Sequence, residues 1–353
     1  MQHFRAKINI AYSGNAKYII KAEMEADYMK LGFFTANYTE KPLEEVAKLA
    51  AEHGYEALEI PAYEDNGQFD PKEVLKGDNA KKIRSMVEGY GLTISALSNH
   101  ADSLLILGPH GVDTDTIYKG TKEEKVKFGT ESLLRTAQAA SALEVPVVNG
   151  FTGVTNFGRY FPFPSATGWD EMEKEFVELF VPILDKFKEY GVKFAVEPHP
   201  NNLIYDIHTA ERAIKNVDNH PCLGFNLDPA NLIYLGLKVE NFIDRLGDRI
   251  FHVHAKDGEI VEHNIQVGGI LMQGDWQRLD RTFRFRIPGW GSVQWKKIIT
   301  ELSMVGYNYV LSYEHEDVTM SRADGVVKTA AYLKPLLINA PYEGRKDKLF
   351  QGI

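Results

Sequence analysis

The stretch Lys188-Glu189-Tyr190-Gly191-Val192-Lys193-Phe194-Ala195-Val196-Glu197-Pro198-His199 contains the unit from which the fold is read. A polar amphipathic segment ends at a glycine, and a short apolar run follows it. Glycine is the natural residue just past a helix end, where a positive φ is needed. The junction therefore reads as helix, glycine cap, strand. It recurs as Glu52-His53-Gly54 before Tyr55–Ile60, as Gly91 before Leu92–Leu97, and as Gly306 before Tyr307–Tyr313. The segments in between have helical spacing. Leu43, Val46, Ala47 and Ala50 fall at i, i+3, i+4 and i+7 behind Pro42, which suits a first helical turn. From Trp169 to Tyr190, the residues Phe176, Leu179, Phe180, Ile183, Leu184 and Phe187 form a broad apolar stripe, in which Pro182 is expected to kink or loosen the helix.

Eight strand candidates follow from this pattern: residues 31–35, 57–61, 92–98, 146–151, 193–198, 223–227, 250–255 and 309–314. Helical stretches separate them, and one more, 321–338, follows the last. Strict alternation of strand and helix implies parallel strands with helical crossovers. Eight units over about 300 residues suit a single-domain α/β protein of the (β/α)8 TIM barrel type. An open doubly wound sheet is the rival, but no Gly-rich phosphate loop follows an early strand. Three segments fall outside the repeat: an N-terminal extension (1–28), a long insertion after strand 7 (258–292) within the barrel (29–338), and a polar C-terminal tail (339–353).

Composition narrows the function. The 353 residues carry 40 Lys+Arg against 49 Asp+Glu, a formal net charge of −9, with 44% hydrophobic and 25% charged residues. An acidic chain without a basic stripe argues against nucleic acid as a partner. No run approaches the roughly 20 apolar residues of a membrane span, and the first residues lack the apolar core of a secretory signal. The one cysteine, Cys222, cannot form an internal disulfide. The expected setting is the cytoplasm.

In a (β/α)8 barrel the active site lies at the C-terminal ends of the strands. Strand 5 ends in Glu197-Pro198-His199 and strand 6 in Asn226-Leu227-Asp228-Pro229-Ala230-Asn231. Strand 7 carries His252-Val253-His254-Ala255-Lys256-Asp257, and strand 8 ends in Tyr313-Glu314-His315-Glu316-Asp317. Any one of these residues reads as a helix cap, a surface charge or a satisfied core histidine. Four consecutive strands ending in Glu, Asp, His and Glu do not. Three carboxylates and an imidazole repel themselves unless a cation neutralises them, and the donor set suits Mn²⁺, Co²⁺ or Mg²⁺ better than Zn²⁺. His252 and His254 share one strand face, so either could ligate; His254 lies nearer the strand end.

These motifs, with Gly289-Trp290-Gly291-Ser292-Val293-Gln294-Trp295, resemble the xylose-isomerase-like superfamily, the sugar phosphate isomerase/epimerase group, over roughly residues 29–336. The resemblance implies one divalent metal, foremost Mn²⁺, held by Glu197, Asp228, His254 and Glu314. It also implies that Glu197 and Glu314 move protons on the two faces of a sugar. Many relatives have a histidine three residues after the strand-6 aspartate, where this chain has Asn231, which can hydrogen-bond a hydroxyl but cannot shuttle a proton. The chemistry is coherent: proton removal beside a carbonyl, an enediolate stabilised by a Lewis acid, and a carboxylate base.

Other candidates stand near the barrel mouth. His100 is a candidate base or hydroxyl contact. His199, Asn149 and Asn231 are substrate contacts. Lys256 would neutralise an oxyanion, or else pair with Asp257. Glu59 is an unusual barrel-facing carboxylate. In the insertion, Trp276, Trp290 and Arg286 are placed to stack on or cap a ring, whereas Trp295 is expected to pack under helix 7. No phosphate nest is evident, so an unphosphorylated sugar or glycoside is expected. The long insertion and the Glu314-His315-Glu316-Asp317 ending also resemble the large subunit of bacterial C-glycoside deglycosidases. Those imply a Mn²⁺-dependent lyase acting on 3-oxo-glycosides with a small partner subunit. The assembly expected is a homo-oligomer, or that hetero-oligomer.

Overall fold

The computed structural model describes residues 9–10, 20–21 and 28–339. The expected N-terminal extension and C-terminal tail therefore lie almost wholly outside the described residues. Eight parallel strands close into a barrel: β1 (Lys30–Phe34), β2 (Ala57–Pro61), β3 (Thr93–Ser98), β4 (Val147–Gly150), β5 (Lys193–Val196), β6 (Leu223–Leu227), β7 (Ile250–Ala255) and β8 (Val310–Tyr313). β8 closes the ring by pairing with β1 and β7. The principal helices follow in turn: α1 (Leu43–Glu52), α2 (Asn79–Gly89), α3 (Lys122–Ala142), α4 (Gly168–Tyr190), α5 (Ile207–Asn216), α6 (Val239–Leu246), α7 (Trp295–Met304) and α8 (Arg322–Leu333). The fold is the expected (β/α)8 barrel.

The four glycines at the helix–strand junctions all have positive φ: Gly54 +79°, Gly91 +75°, Gly191 +71° and Gly306 +84°. At this backbone position a Cβ would be strained, so the local sequence enforces the turn back into the sheet. The apolar stripes face the outside of the barrel wall. Phe176, Phe180, Leu184 and Phe187 of α4 are buried, as are Val46 and Ala47 of α1. α4 runs through Pro182 without interruption, so the expected loosening does not break it. The apolar residues on either side of Pro182 hold both halves to the sheet.

The inside of the barrel is polar. Glu59, Ser95, Ser98, Asn149, Asn226, His252, His254 and Ser312 are all 0–1% exposed. Register explains why the strand-end residues converge. Ser312 pairs with His254 across β8 and β7, so Glu314, two residues on, shares the inward face. Asn226 pairs with His252, which puts Asp228 level with His254. Ala195 pairs with Gly224, and Glu197 takes the next inward position on β5.

The insertion is more ordered than its Gly- and Arg-rich sequence suggests, and it opens one residue earlier than expected. Asp257–Ile260 and Phe283–Arg286 form an antiparallel pair, with a short helix, Glu262–Gly268, between them. Buried Asp257 accepts four hydrogen bonds: from the backbone NH of Gly258 (2.8 Å), Gly289 (3.0 Å) and Val293 (2.9 Å), and from Trp295 Nε1 (3.1 Å). Arg286 pairs with Asp317 (3.0 Å) and Glu259 (2.7 Å). Both ends of the insertion are thus tied to the barrel rim. Among the described residues, no helix is long and apolar enough to cross a membrane.

Candidate metal centre

Glu197, Asp228, His254 and Glu314 each offer a ligand atom within 4.8 Å of the others. Three of the four side chains are almost fully buried, and Glu314, 15% exposed, opens the cluster toward the barrel mouth. His254 Nδ1 lies 3.2 Å from Glu197 Oε2 and 3.1 Å from Glu314 Oε2, yet it makes no hydrogen bond. Its other nitrogen, Nε2, is 3.1 Å from both carboxylate oxygens of Glu59. A buried imidazole nitrogen without a partner, aimed into carboxylate oxygens, is what a metal ligand looks like before its ion is counted. Electrostatics agree. Burial pushes the His254 pKa down, but Glu59, Glu314 and Glu197 outweigh it and hold the ring well above its ordinary value. The pocket therefore favours positive charge at its centre. The donor set, three carboxylates and one imidazole, fits a divalent cation.

The carboxylates are not equivalent. Burial raises all three, but His254 and His100 hold Glu197 well below the usual range. Lys256 and His254 bring Glu314 down to about 2. Asp228 is pushed up to about 7 by burial, which Lys256 only partly opposes while Glu197 and Glu314 add to it. Asp228 also caps the short helix Pro229–Tyr234, accepting from Ala230 N at 2.9 Å.

Lys256 does not pair with Asp257, which is engaged in the insertion. Its ammonium lies instead 2.7 Å from Asp228, 2.8 Å from Glu314 and 2.9 Å from Glu316. It is a fixed cation inside the acidic cluster, covered by the Phe285 ring at 4.5 Å. Phe285 in turn packs 5.3 Å from Trp276. Asn231 donates to Glu197 Oε1 (2.7 Å) and Asp228 Oδ2 (3.0 Å), so both amide hydrogens are committed to holding ligands. His100 Nε2 lies 3.1 Å from Glu197 Oε2, unaligned for a hydrogen bond and without another partner. His199 donates Nδ1–H to the Pro200 carbonyl at 2.5 Å and packs against Phe151, which also meets His100.

Two candidates stand elsewhere. Asn149 is fully buried inside the barrel, donating to Glu59 (2.8 Å) and facing His252 (3.1 Å), because it sits on the inward face one layer below the strand ends. Trp290 is half-exposed and faces Arg286 and Lys328, on the outer side of the anchored insertion. Sequence reasoning missed Phe285 and the part played by Glu316. Glu316 carries a usable signal: it shares the phase of Glu314, two residues back. Phe285 carries none, since its place depends on the insertion hairpin. A cavity of about 440 Å³ lined by Asp65, Gln68, Asp70 and Asn79 lies in the loop after β2, apart from this cluster.

Residues 47–336 match the xylose isomerase-like TIM barrel family. The chain belongs to that family. It is 26% identical over 314 residues to the uncharacterized protein YfiH of Bacillus subtilis (strain 168), covering 87% of this chain and 98% of that one. Among solved structures it resembles the probable 3-DHS dehydratase AsbF of Bacillus anthracis (TM-score 0.63, 17% identity, 87% of this chain and 99% of that one). It likewise resembles the 3-keto-D-glucoside 4-epimerase YcjR of E. coli (0.62, 16%, 87% and 99%) and the IolI protein with a bound zinc atom (0.61, 19%, 87% and 98%). These structural likenesses show the shared barrel.

Proposed function

We propose that this family member is a divalent-metal-dependent sugar isomerase/epimerase-type enzyme, acting beside a carbonyl of an unphosphorylated sugar. The carrying observation is His254 Nδ1, buried without an aligned hydrogen bond and directed at Glu197 and Glu314 from the same pocket as Asp228. When bound, the metal, Mn²⁺ foremost and Co²⁺ or Mg²⁺ as alternatives, supplies Lewis-acid stabilisation of an enediolate. Glu197 and Glu314 flank His254 on β5 and β8 and are the acid/base pair. His100, 3.1 Å from Glu197, is the group that relays a proton to the mouth. Asn231 holds Glu197 and Asp228 in place, and Lys256 neutralises oxyanion charge next to Asp228 and Glu314. The same-fold neighbours named as a 3-keto-D-glucoside 4-epimerase and a D-tagatose 3-epimerase-like protein support a keto sugar as substrate.

One observation favours a second reading. The Phe285–Trp276 pair beside Lys256 would flank a second ring attached to the sugar. That suits elimination of an aglycone from a 3-oxo-glycoside, a lyase reaction with the same first proton removal, in a hetero-oligomer with a small subunit. The test is product analysis by mass spectrometry, with Mn²⁺ and a panel of ketoses, inososes and 3-oxo-glycosides. A product of unchanged mass supports the isomerase/epimerase, and a free aglycone supports the lyase. Turnover that survives complete removal of metal by EDTA refutes both.

A further inference from the structure

Among the described residues, Glu59 is the one carboxylate inside the barrel below the strand-end cluster, and it is fully buried. An ion placed there costs several kcal/mol unless its lone pairs are met. They are met from four other strands. Ser98 on β3 donates to Oε1, Asn149 on β4 donates to Oε1 at 2.8 Å, and Ser312 on β8 donates to Oε2 at 2.7 Å. His254 on β7 completes the set, with Nε2 at 3.1 Å from both oxygens. Glu59, His252 and His254 also lie close enough together to suggest a second cation site. That arrangement is already saturated: Glu59 takes four donors, while His252 engages Asn226 through Nδ1 (3.1 Å) and Ser95 through Nε2 (3.2 Å).

Asn226 Nδ2 also lies 3.1 Å from Nε2, but that amide has an acceptor in Glu197 Oε2 at 3.3 Å, so the two acceptor-only oxygens of Glu59 keep a proton on Nε2. A cation among Glu197 and Glu314 then displaces a proton from Nδ1, the nitrogen that faces them, and meets its lone pair there. Ser98, Asn149 and Ser312 fix the carboxylate, and the carboxylate fixes the ring. We propose that Glu59 is a positioning residue that sets the tautomer and orientation of His254, and so the metal affinity of the strand-end cluster. This rests on the reading of that cluster as a metal centre.

The test is Mn²⁺ binding by calorimetry to the full-length wild type and to Glu59→Gln, with circular dichroism to verify the fold. Removing such an outer partner typically weakens metal binding about 10–100-fold, and that loss is expected in the folded variant. Ser312→Ala removes one of the donors that fix Glu59 and should weaken binding in the same direction but by less than Glu59→Gln. In Zn²⁺-loaded wild type, ¹⁵N imidazole spectra should place a proton on His254 Nε2 and none on Nδ1. Binding by folded Glu59→Gln within about threefold of wild type, or a proton on Nδ1, overturns the role of Glu59 alone. No Mn²⁺ or Zn²⁺ uptake by the wild type overturns the metal-centre reading beneath it. Should Glu59→Gln not fold, Glu59→Asp, which draws the carboxylate back from Nε2, takes its place in the same titration and is expected to bind Mn²⁺ more weakly than wild type; binding within about threefold overturns the role of Glu59.

Discussion

Replacing Lys256 by Met removes the one fixed cation of the acidic cluster while roughly keeping side-chain volume. Its ammonium is 2% exposed and lies within 2.9 Å of three carboxylates. Glu316, 47% exposed, loses little, under about 1 kcal/mol. Asp228 and Glu314 lose the counter-ion of a buried pair, which typically costs about 3–5 kcal/mol. The cost depends on pH. The folded-state value of Asp228, about 7, lies above its unfolded value of about 3.9. Its ionisation therefore disfavours the folded state, and the stability it contributes when protonated is lost as pH rises from about 4 through about 7. Without Lys256 that value rises further, so Asp228 takes up a proton near neutrality and the penalty shrinks. Urea unfolding in EDTA should show a loss of about 3–5 kcal/mol at pH 8.5 and a smaller one at pH 6. Excess Mn²⁺ should recover much of it at pH 8.5 by supplying the missing charge. A loss under about 1 kcal/mol in EDTA at pH 8.5, or one indifferent to both pH and metal, would refute the assignment of Lys256 as the internal counter-ion.

His254→Ala should abolish stoichiometric metal on elemental analysis, and unchanged metal content would move the ligand role to His252. Glu197→Gln and Glu314→Gln should each fold yet keep less than a tenth of turnover, a barrier increase above about 1.4 kcal/mol; a variant above that level is not an acid/base residue. Asp257→Ala strands four donors at the base of the insertion and should cost about 3 kcal/mol or more. Urea unfolding checks this, together with proteolysis of the loop at Gly289, and wild-type behaviour in both would show that Asp257 does not anchor it.

The helix-to-strand junctions were legible because a glycine marks the positive φ that ends a helix. Three junctions lacked that mark: β7 is entered through the turn Gly247–Arg249, with Gly247 at φ −58°, and two others replace the glycine. Glu144 (φ +60°) precedes β4 and Asn219 (φ +55°) precedes β6, so the same geometry is carried by residues with no comparable signal. The four strand-end residues were legible because each ends an apolar run in phase with the inward face. Glu59 could be noted as odd but not interpreted, since its partners Ser98, Asn149, His254 and Ser312 lie up to 253 positions away. Of the two roles open to Lys256 in the sequence, the pair with its chain neighbour Asp257 does not form, because successive residues of a strand face opposite sides.

The sequence by itself determined the alternation of helix and strand, hence the barrel, and the residue types at the ends of β5 to β8. Those depend on backbone periodicities of 3.6 and 2, which are local. Only the closed barrel decided which nitrogen of His254 faces Glu197 and Glu314, that Lys256 stands beside Asp228 and Glu314, and that Asn149 lies below rather than at the mouth. Each of these is set by register between strands distant in the chain. Register is fixed when the outer faces bury their apolar residues under the helices and leave the inward polar groups to satisfy one another.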